Sequence, residues 1–325
     1  MQAVVLLNWN GWKDTIECLG SLLPVLGPHV SVIVCDNASS DGSIDRIGAW
    51  LAERYSTWGL THLTRDQVLM GAKPSPQHVL LVQNGANLGF AGGNNSGIRL
   101  GMNNPECRYI WLLNNDTTVL PTTLPAVITR MEQDSSIGIC GSTLMYHDRP
   151  DLVQAMGGAL YSRWTGRSRH IGAFSDRAEI PQESALVERQ MSYVVGASML
   201  VRREFIEQVG YMREDYFLYC EEIDWASRGR GLFRLGYAPQ SVVFHKEGAS
   251  IGTAASGGSP LSIFYLFRNR VRYAWRFHPL FVPSVLFFCS IDIAKLVIRR
   301  RWLQARAALR GLLQLSRPQP LARTA

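Results

Sequence analysis

The sequence predicts an α/β fold: a doubly wound, mostly parallel sheet with helices on both faces, followed by a helical, basic, amphipathic C-terminal extension. Three observations lead there. Short continuous apolar runs alternate with segments of helical spacing, the pattern of βαβ units whose strands are buried on both faces. Each run ends abruptly in Asn, Asp, Gly or Ser, at the strand ends where open α/β sheets hold ligands. Charge also divides along the chain. Of the net +7, the segment from Ser250 onward holds twelve Lys/Arg against one acid, Asp292, leaving 21 basic and 25 acidic residues before it. Domain boundaries are accordingly expected at 1–250 and 251–325.

Residues 4–9 form the first strand and run into Asn8-Trp9-Asn10-Gly11. Ile16, Leu19, Leu22 and Leu23 mark a helix stopped by Pro24. A second strand, 30–35, empties into Asp36-Asn37-Ala38-Ser39-Ser40-Asp41-Gly42-Ser43, where Asp41 or Ser40 can cap a helix carrying Ile44, Ile47 and Leu51. Residues 57–78 show no period and contain Gly71, Pro74 and Pro76, so a surface loop or insertion is expected. Strand 79–82 leads into a Gly/Asn-rich turn (84–97) and a helix to Met102, an arrangement suited to a phosphate or other polar ligand. A fourth strand, beginning Tyr109-Ile110-Trp111, ends in Asn114-Asn115-Asp116.

Beyond Pro121 the pattern gives a helix to Gln133, a short strand at 137–140 and a hairpin within 154–172 turning at Thr165-Gly166 beside Trp164. A strand over 193–201 crosses the small residues Gly196-Ala197-Ser198, and a helix over 203–209 is closed by Gly210. Aromatics at 216–219 then wall a helix start bearing Glu221, Glu222 and Asp224. Strand 242–244 ends in His245, followed by a Gly/Ser/Ala-rich loop, 248–258, suited to closing over a ligand. From Pro260 a helix carries Arg268, Arg272 and Arg276 as one stripe beside Phe264, Tyr265, Phe267 and Trp275. Residues 280–298 are strongly apolar, yet Pro283, Asp292 and Lys295 interrupt them. An interfacial helix is therefore expected rather than a spanning one, with Arg299-Arg300-Arg301 and Trp302 at headgroup level.

Several classes lose their support. There is no G-x-G-x-x-G and no Walker GK[ST], so dinucleotide and P-loop readings fall away. Basicity confined to the tail argues for an anionic membrane surface and against nucleic acid. The six cysteines have no metal-like spacing, and several lie in apolar runs, as thiols in a reducing cytoplasm do. The N-terminus shows no basic region or cleavage site, so no signal peptide is expected.

Taken alone, Asn114-Asn115-Asp116 reads as a turn, and the acids after residue 220 read equally as helix-dipole partners or as a placed general base. Their order along the chain carries more. Asn8-Trp9-Asn10-Gly11, the loop from Asp36 to Ser43, Asn87-Leu88-Gly89-Phe90-Ala91-Gly92-Gly93-Asn94-Asn95, Asn114-Asn115-Asp116, Glu221-Glu222-Ile223-Asp224, His245-Lys246 and Arg268-Asn269-Arg270 occur in sequence. With them, the stretch from Val4 to Arg276 resembles family 2 glycosyltransferases of the GT-A fold, in their rhamnosyltransferase-like branch.

The resemblance implies a nucleotide-sugar-binding and catalytic domain at 1–250; the basic and apolar composition of the remainder makes 251–325 a flexible loop followed by a membrane-associating helical region. It implies inverting transfer of a sugar, L-rhamnose from dTDP-rhamnose, to a glycan or polyprenyl-linked acceptor in cell-surface polysaccharide synthesis. The enzyme would sit in the cytoplasm, peripherally on the inner face of the membrane. By the same resemblance Asn8, Asn10, Asp36, Asn87, Gly89, Asn94 and Asn115 would hold the donor. Asp116 and His245 would ligate Mg²⁺ or Mn²⁺. Glu222, with Glu221 and Asp224 beside it, would supply the base, the choice among the three being left open. Trp164, Arg268, Arg270 and Arg272 would meet acceptor or phosphate. The family's DxD position here keeps only its last carboxylate, and its Glu-Asp reads Glu-Glu. A sugar nucleotidyltransferase, or a silent GT-A-like binding protein, are the alternatives.

Overall fold

The computed structural model describes residues 1–246 and 258–313. The expected ligand-closing loop at 248–258 therefore lies outside the described residues, apart from Gly258. β1 (Gln2–Asn8) leads to α1 (Trp12–Leu22), β2 (Val30–Asp36) to α2 (Ser43–Arg54), β3 (Gly59–Thr64) to a short α3 (Arg65–Leu69), and β4 (His78–Gln83) to α4 (Gly89–Met102). β5 (Tyr109–Asn114) turns through Asn115 and Asp116 into β6 (Thr117–Val119), α5 (Thr123–Gln133) and β7 (Ile137–Tyr146). Next come β8 (Val153–Met156), β9 (Gly158–Ser162), β10 (Arg167–His170), α6 (Ala185–Glu188), β11 (Tyr193–Val194) and β12 (Ser198–Arg202). α7 (Arg203–Val209), α8 (Glu221–Gly229) and β13 (Arg234–His245) precede three C-terminal helices, α9 (Pro260–Phe277), α10 (Val282–Ile298) and α11 (Trp302–Leu313).

The main sheet runs β3-β4-β2-β1-β5-β12-β7-β13-β6, with β8 on β7. β3, β4, β2, β1 and β5 are mutually parallel, whereas β12 is antiparallel to both its neighbours. Successive residues of β1 enter opposite cores: Val4 and Leu6 join Leu19, Ile47 and Met131 on one face, Ala3 and Val5 join Ile98, Phe205 and Trp225 on the other. Both faces being covered is why the strands read as continuous apolar runs.

Contacts divide the chain into two compact units. The larger holds Met1–Leu160, Arg169–Phe217 and the described residues from Glu221 to Lys246; the smaller holds Tyr161–Ser168, Leu218–Cys220 and the C-terminal helices. In the smaller unit, α9, α10 and α11 share a core of Phe267, Val271, Val285, Cys289 and Ala308.

Four local expectations are corrected. Residues 57–78 are not a structureless loop: β3 pairs in parallel with β4 as an edge strand, and a capping box between Thr64 and Gln67 starts α3. An edge strand buries little, so its apolar signal is weak. The Gly/Asn-rich stretch is largely helix, with α4 beginning at Gly89. A Cβ at Gly93 would lie 2.3 Å from Leu7 Cδ1 and one at Gly97 2.4 Å from Val5 Cγ1, so these glycines serve close helix–sheet packing. The strand expected over 193–201 is two, β11 and β12, in different sheets. The short strands at 137–140 and 242–244 are the ends of β7 and β13, ten and twelve residues long, whose pairing continues past a register shift between Ala238 and Val242.

Candidate active site

Parallel register brings the carboxyl ends of four strands level: Asn8 pairs with Asp36, Asp36 with Gln83, and Leu7 with Asn114. Their polar side chains interlock. Asp36 Oδ1 accepts from Asn8 Nδ2 (2.7 Å) and Ser39 Oγ (2.6 Å), and Oδ2 from Ser39 N (2.9 Å) and Gln83 Nε2 (3.0 Å). Four donors fill a carboxylate's accepting capacity, so Asp36 braces the loop ends. Thr15 Oγ1 donates to Asn8 Oδ1 (2.8 Å) and accepts from Asn115 Nδ2 (2.9 Å), tying two of the expected donor residues together. Asn10 is exposed, with φ at 51°, and its Oδ1 accepts from Ser40 N at 2.8 Å. Asn87 Oδ1 accepts from Gly89 N at 3.0 Å, and Asn94 Nδ2 donates to Phe90 O at 3.0 Å inside α4.

Asp116 lies in the turn between β5 and β6, and His245 ends β13, which pairs with β6. Among the described residues Asp116 Oδ1 is buried without a hydrogen-bond partner, and His245 Nε2 stands 3.2 Å from it. Gln154 Oε1 faces His245 Nδ1 at 2.8 Å. With the proton on Nδ1 that contact is a hydrogen bond donated to Gln154, and Nε2 is an acceptor beside Asp116 Oδ1. This donor set fits a hard divalent cation held by one carboxylate and one imidazole. Among the described residues no cluster of three His, Cys, Asp or Glu could hold a metal, so its other ligands would be substrate oxygens and water. Asn114, at the first DxD position, reaches His245 Nε2 only at 3.5 Å. Gln154 was not anticipated, because nothing near it in sequence marks it.

The acids of α8 separate by environment. Asp224 is fully buried and paired with Arg228 Nε (2.8 Å) and Tyr216 OH (2.9 Å). Arg228 in turn donates to Val209 O and Tyr211 O, so Asp224 anchors the helix. Glu221 is buried. Glu222 keeps partial solvent contact and lies against Gly196, where a Cβ would come 2.5 Å from Glu222 Oε1 and 3.1 Å from Phe90 Cζ. Burial raises the Glu222 pKa above the ordinary 4.5, against hydrogen bonds from the backbone amides of Glu222 and Gly196 that lower it. An ionisable carboxyl with a raised pKa and an open side has the character of a general base. The small residues at 196–198 are what leave it room.

The chain leading to α8 is strained: Phe217, Tyr219 and Cys220 all hold positive φ, at a cost of roughly 1–3 kcal/mol each. Phe217 O accepts from Phe90 N at 2.7 Å, and a Cβ at Gly89 would lie 2.2 Å from that oxygen.

Within the smaller unit, Arg270 is buried, with Nη1 2.9 Å from Asp292 Oδ2 and Nη2 donating to Thr165 O at 2.6 Å; Arg167 also pairs with Asp292. Trp164 is 58% exposed at the hairpin tip, edge-on to Phe281. The Arg268 guanidinium lies 4.7 Å from the Tyr265 ring centroid, and Arg272 is half-buried on the same helix.

With this geometry in hand, comparison with known proteins decides the family. Residues 3–210 match the profile of Glycosyl transferase family 2. The chain belongs to that family. This glycosyltransferase is 25% identical over 266 residues to the N-acetylglucosaminyl-diphospho-decaprenol L-rhamnosyltransferase of Mycobacterium tuberculosis (strain CDC 1551 / Oshkosh), covering 77% of each chain. Among solved structures it is similar to the mannosyltransferase PcManGT from Pyrobaculum calidifontis in complex with GDP-Man and Mn²⁺ (TM-score 0.54, 14% identity, 97% of this chain and 86% of that one). It is also similar to S. aureus TarS 1-349 (TM-score 0.53, 14% identity, 97% and 81%). At these identities the likeness is one of fold, and it is the GT-A fold that the ordered motifs imply.

Proposed function

We propose that this glycosyltransferase is inverting and divalent-metal-dependent, and moves L-rhamnose from dTDP-L-rhamnose to a hydroxyl of a glycan or polyprenyl-diphosphate-linked acceptor. The observation that carries the reading is the approach of His245 Nε2 to 3.2 Å from the buried Asp116 Oδ1, with the Glu222 carboxyl, its pKa raised by burial, lying against Gly196. The mycobacterial relative's sugar and acceptor supply the substrate class.

Glu222 takes the proton from the acceptor hydroxyl as its oxygen attacks the anomeric carbon; the bond to the diphosphate breaks on the opposite face and the nucleoside diphosphate departs. A divalent cation held by Asp116 and His245 would neutralise the charge gathering on that leaving group. Gln154 fixes the His245 ring so that Nε2 faces the site. With Asp36 saturated by protein donors, nucleotide contacts fall to exposed groups on the same loops, Asn10 and Ser40 foremost.

The smaller unit is read as the region that meets the anionic inner face of the membrane from the cytoplasmic side. Residues Pro279–Ile298 form a helical stretch of 20 residues with mean hydropathy 2.0 and 17% burial, long and apolar enough by composition to cross a bilayer. Pro283 sits in its first turn, where proline is tolerated, and Asp292 is ion-paired, so neither breaks the helix. The interfacial reading is preferred because exposed Leu280 (91%), Ile298 (79%) and Leu303 (70%) accompany Arg299, Arg300 and Arg301, the composition of a headgroup boundary.

The test is product analysis with a panel of nucleotide sugars and a synthetic GlcNAc-diphospho-lipid. Nucleoside diphosphate release with dTDP-L-rhamnose, lost on chelation and restored by Mn²⁺, is expected. Metal-independent turnover after exhaustive chelation would remove the roles given to Asp116 and His245.

A further inference from the structure

The frame around Asp116 and His245 is built on α1. On one side Thr15 Oγ1 accepts from Asn115 Nδ2 at 2.9 Å, and Cys18 Sγ lies 3.7 Å from Thr117 Oγ1, so the residues before and after Asp116 both rest on this helix. On the other side Lys246, the residue after His245, donates from Nζ to Asp14 Oδ1 (2.9 Å) and Glu17 Oε2 (2.6 Å). Asp14 and Glu17 are three residues apart on α1 and so share a face. All of these residues belong to the larger unit.

Lys246 also ties the pair together through main chain. Its N–H donates to Asp116 O at 3.0 Å, one residue beyond the pairing of His245 with Thr117. A rung at the end of a ladder opens readily unless something else holds it. Here the ammonium, gripped at two points, supplies that hold. Glu17 reaches a third segment as well: its Oε1 lies 3.4 Å from His147 Nε2, and the His147 N–H donates to His245 O at 3.1 Å. The ion pairs of Lys246 are partly exposed, and such pairs add little to overall stability. Their consequence is local, in where residue 246 sits and therefore in where the backbone of His245 sits relative to Asp116.

We propose that Lys246 is a positioning residue for the cation-holding pair, its ion pairs with Asp14 and Glu17 fastening the end of β13 to α1 so that His245 keeps its place beside Asp116. The proposal rests on the reading of Asp116 and His245 as cation ligands, and extends it to a residue that acts through backbone. Charge alone gives the opposite expectation. An ammonium on the residue next to a ligand repels a divalent cation, so deleting it would tighten binding. The sign of the effect therefore separates positioning from electrostatics.

The experiment uses the full chain and Mn²⁺ alone, with calorimetry for binding and deuterium uptake for the backbone amides. Binding is counted as the part lost on adding His245→Ala in the same background, which subtracts any metal taken by the bared acids. Lys246→Met keeps the length of the side chain and removes its charge. It is expected to weaken Mn²⁺ binding about tenfold, quicken exchange at amide 246, and leave the unfolding midpoint close to wild type. Lys246→Arg, which still pairs with both acids, should return all three to wild type. Transfer by Lys246→Met from dTDP-L-rhamnose to a GlcNAc-diphospho-lipid should recover as Mn²⁺ is raised. Unchanged or tighter binding by Lys246→Met overturns the proposal while leaving the cation reading in place. Wild-type Mn²⁺ binding by His245→Ala alone refutes the cation reading itself, and the proposal with it. Should Lys246→Met fail to fold, Asp14→Ala with Glu17→Ala removes the anchors from the α1 side and should quicken exchange at amide 246; wild-type exchange there also overturns the proposal.

Discussion

Gly196→Ala isolates the geometry on which the base assignment depends. The backbone at Gly196 is outside the left-handed region, so alanine is conformationally allowed and only the new methyl matters. That carbon would sit 2.5 Å from Glu222 Oε1, and ordinary contact begins near 3.4 Å, so the carboxylate must retreat by about 0.9 Å. The clash falls on the far end of a flexible side chain, with Phe90 Cζ at 3.1 Å as the second neighbour, so the fold accommodates it. A misplacement of about 1 Å in a catalytic group costs on the order of 10²-fold in rate, about 2.7 kcal/mol of barrier. The assay is nucleotide release under saturating donor, with donor affinity measured separately by calorimetry. The expected result is a kcat lowered about 10²-fold and a donor Kd within twofold of wild type. A wild-type kcat would refute the placement of the catalytic carboxylate against Gly196.

Glu222→Gln should abolish transfer with donor binding retained. Because burial raises the Glu222 pKa, its ionisation opposes folding. That opposition is absent below the unfolded value of 4.5 and complete above the folded pKa. The variant should therefore melt higher than wild type at alkaline pH and converge with it toward pH 4, and a gap that widens in acid would contradict the burial argument. Gln154→Ala frees the His245 ring and should weaken Mn²⁺ binding by about 10–100-fold in calorimetry; unchanged affinity would dismiss the orienting role. Asp292→Ala leaves Arg270 buried without its carboxylate and should destabilise the smaller unit by about 3 kcal/mol in denaturant unfolding. In wild type, burial pushes the Asp292 pKa up but Arg167 and Arg270 bring it below the usual 3.8. Its contribution is therefore present above that value and lost as pH falls through the folded pKa. Replacing Arg299, Arg300 and Arg301 by Ser should release the protein from vesicles containing phosphatidylglycerol, and raised salt should do the same to wild type; salt-insensitive binding by both would discard the electrostatic part of the membrane reading.

The sequence alone determined the parallel half of the sheet and the order of its motifs, for a physical reason. Strands buried on both faces must be continuously apolar, and the abrupt change to Asn, Asp and Ser at Asn8, Asp36 and Asn114 marks where they leave the core. Edge and broken strands carry no such mark: β3 is half exposed, and β11 and β12 are parted by Val195, Gly196 and Ala197 without any loss of apolar character. Residue type could nominate Asp116, His245 and Glu222 but could not say which polar groups were already satisfied. That depended on pairings across the chain: Gln83 and Asn8 on Asp36, Arg228 and Tyr216 on Asp224, and Gln154 on His245. A side chain's chemistry is local, whereas its free lone pairs and its pKa are set by what the fold packs against it, and only the tertiary structure decides that.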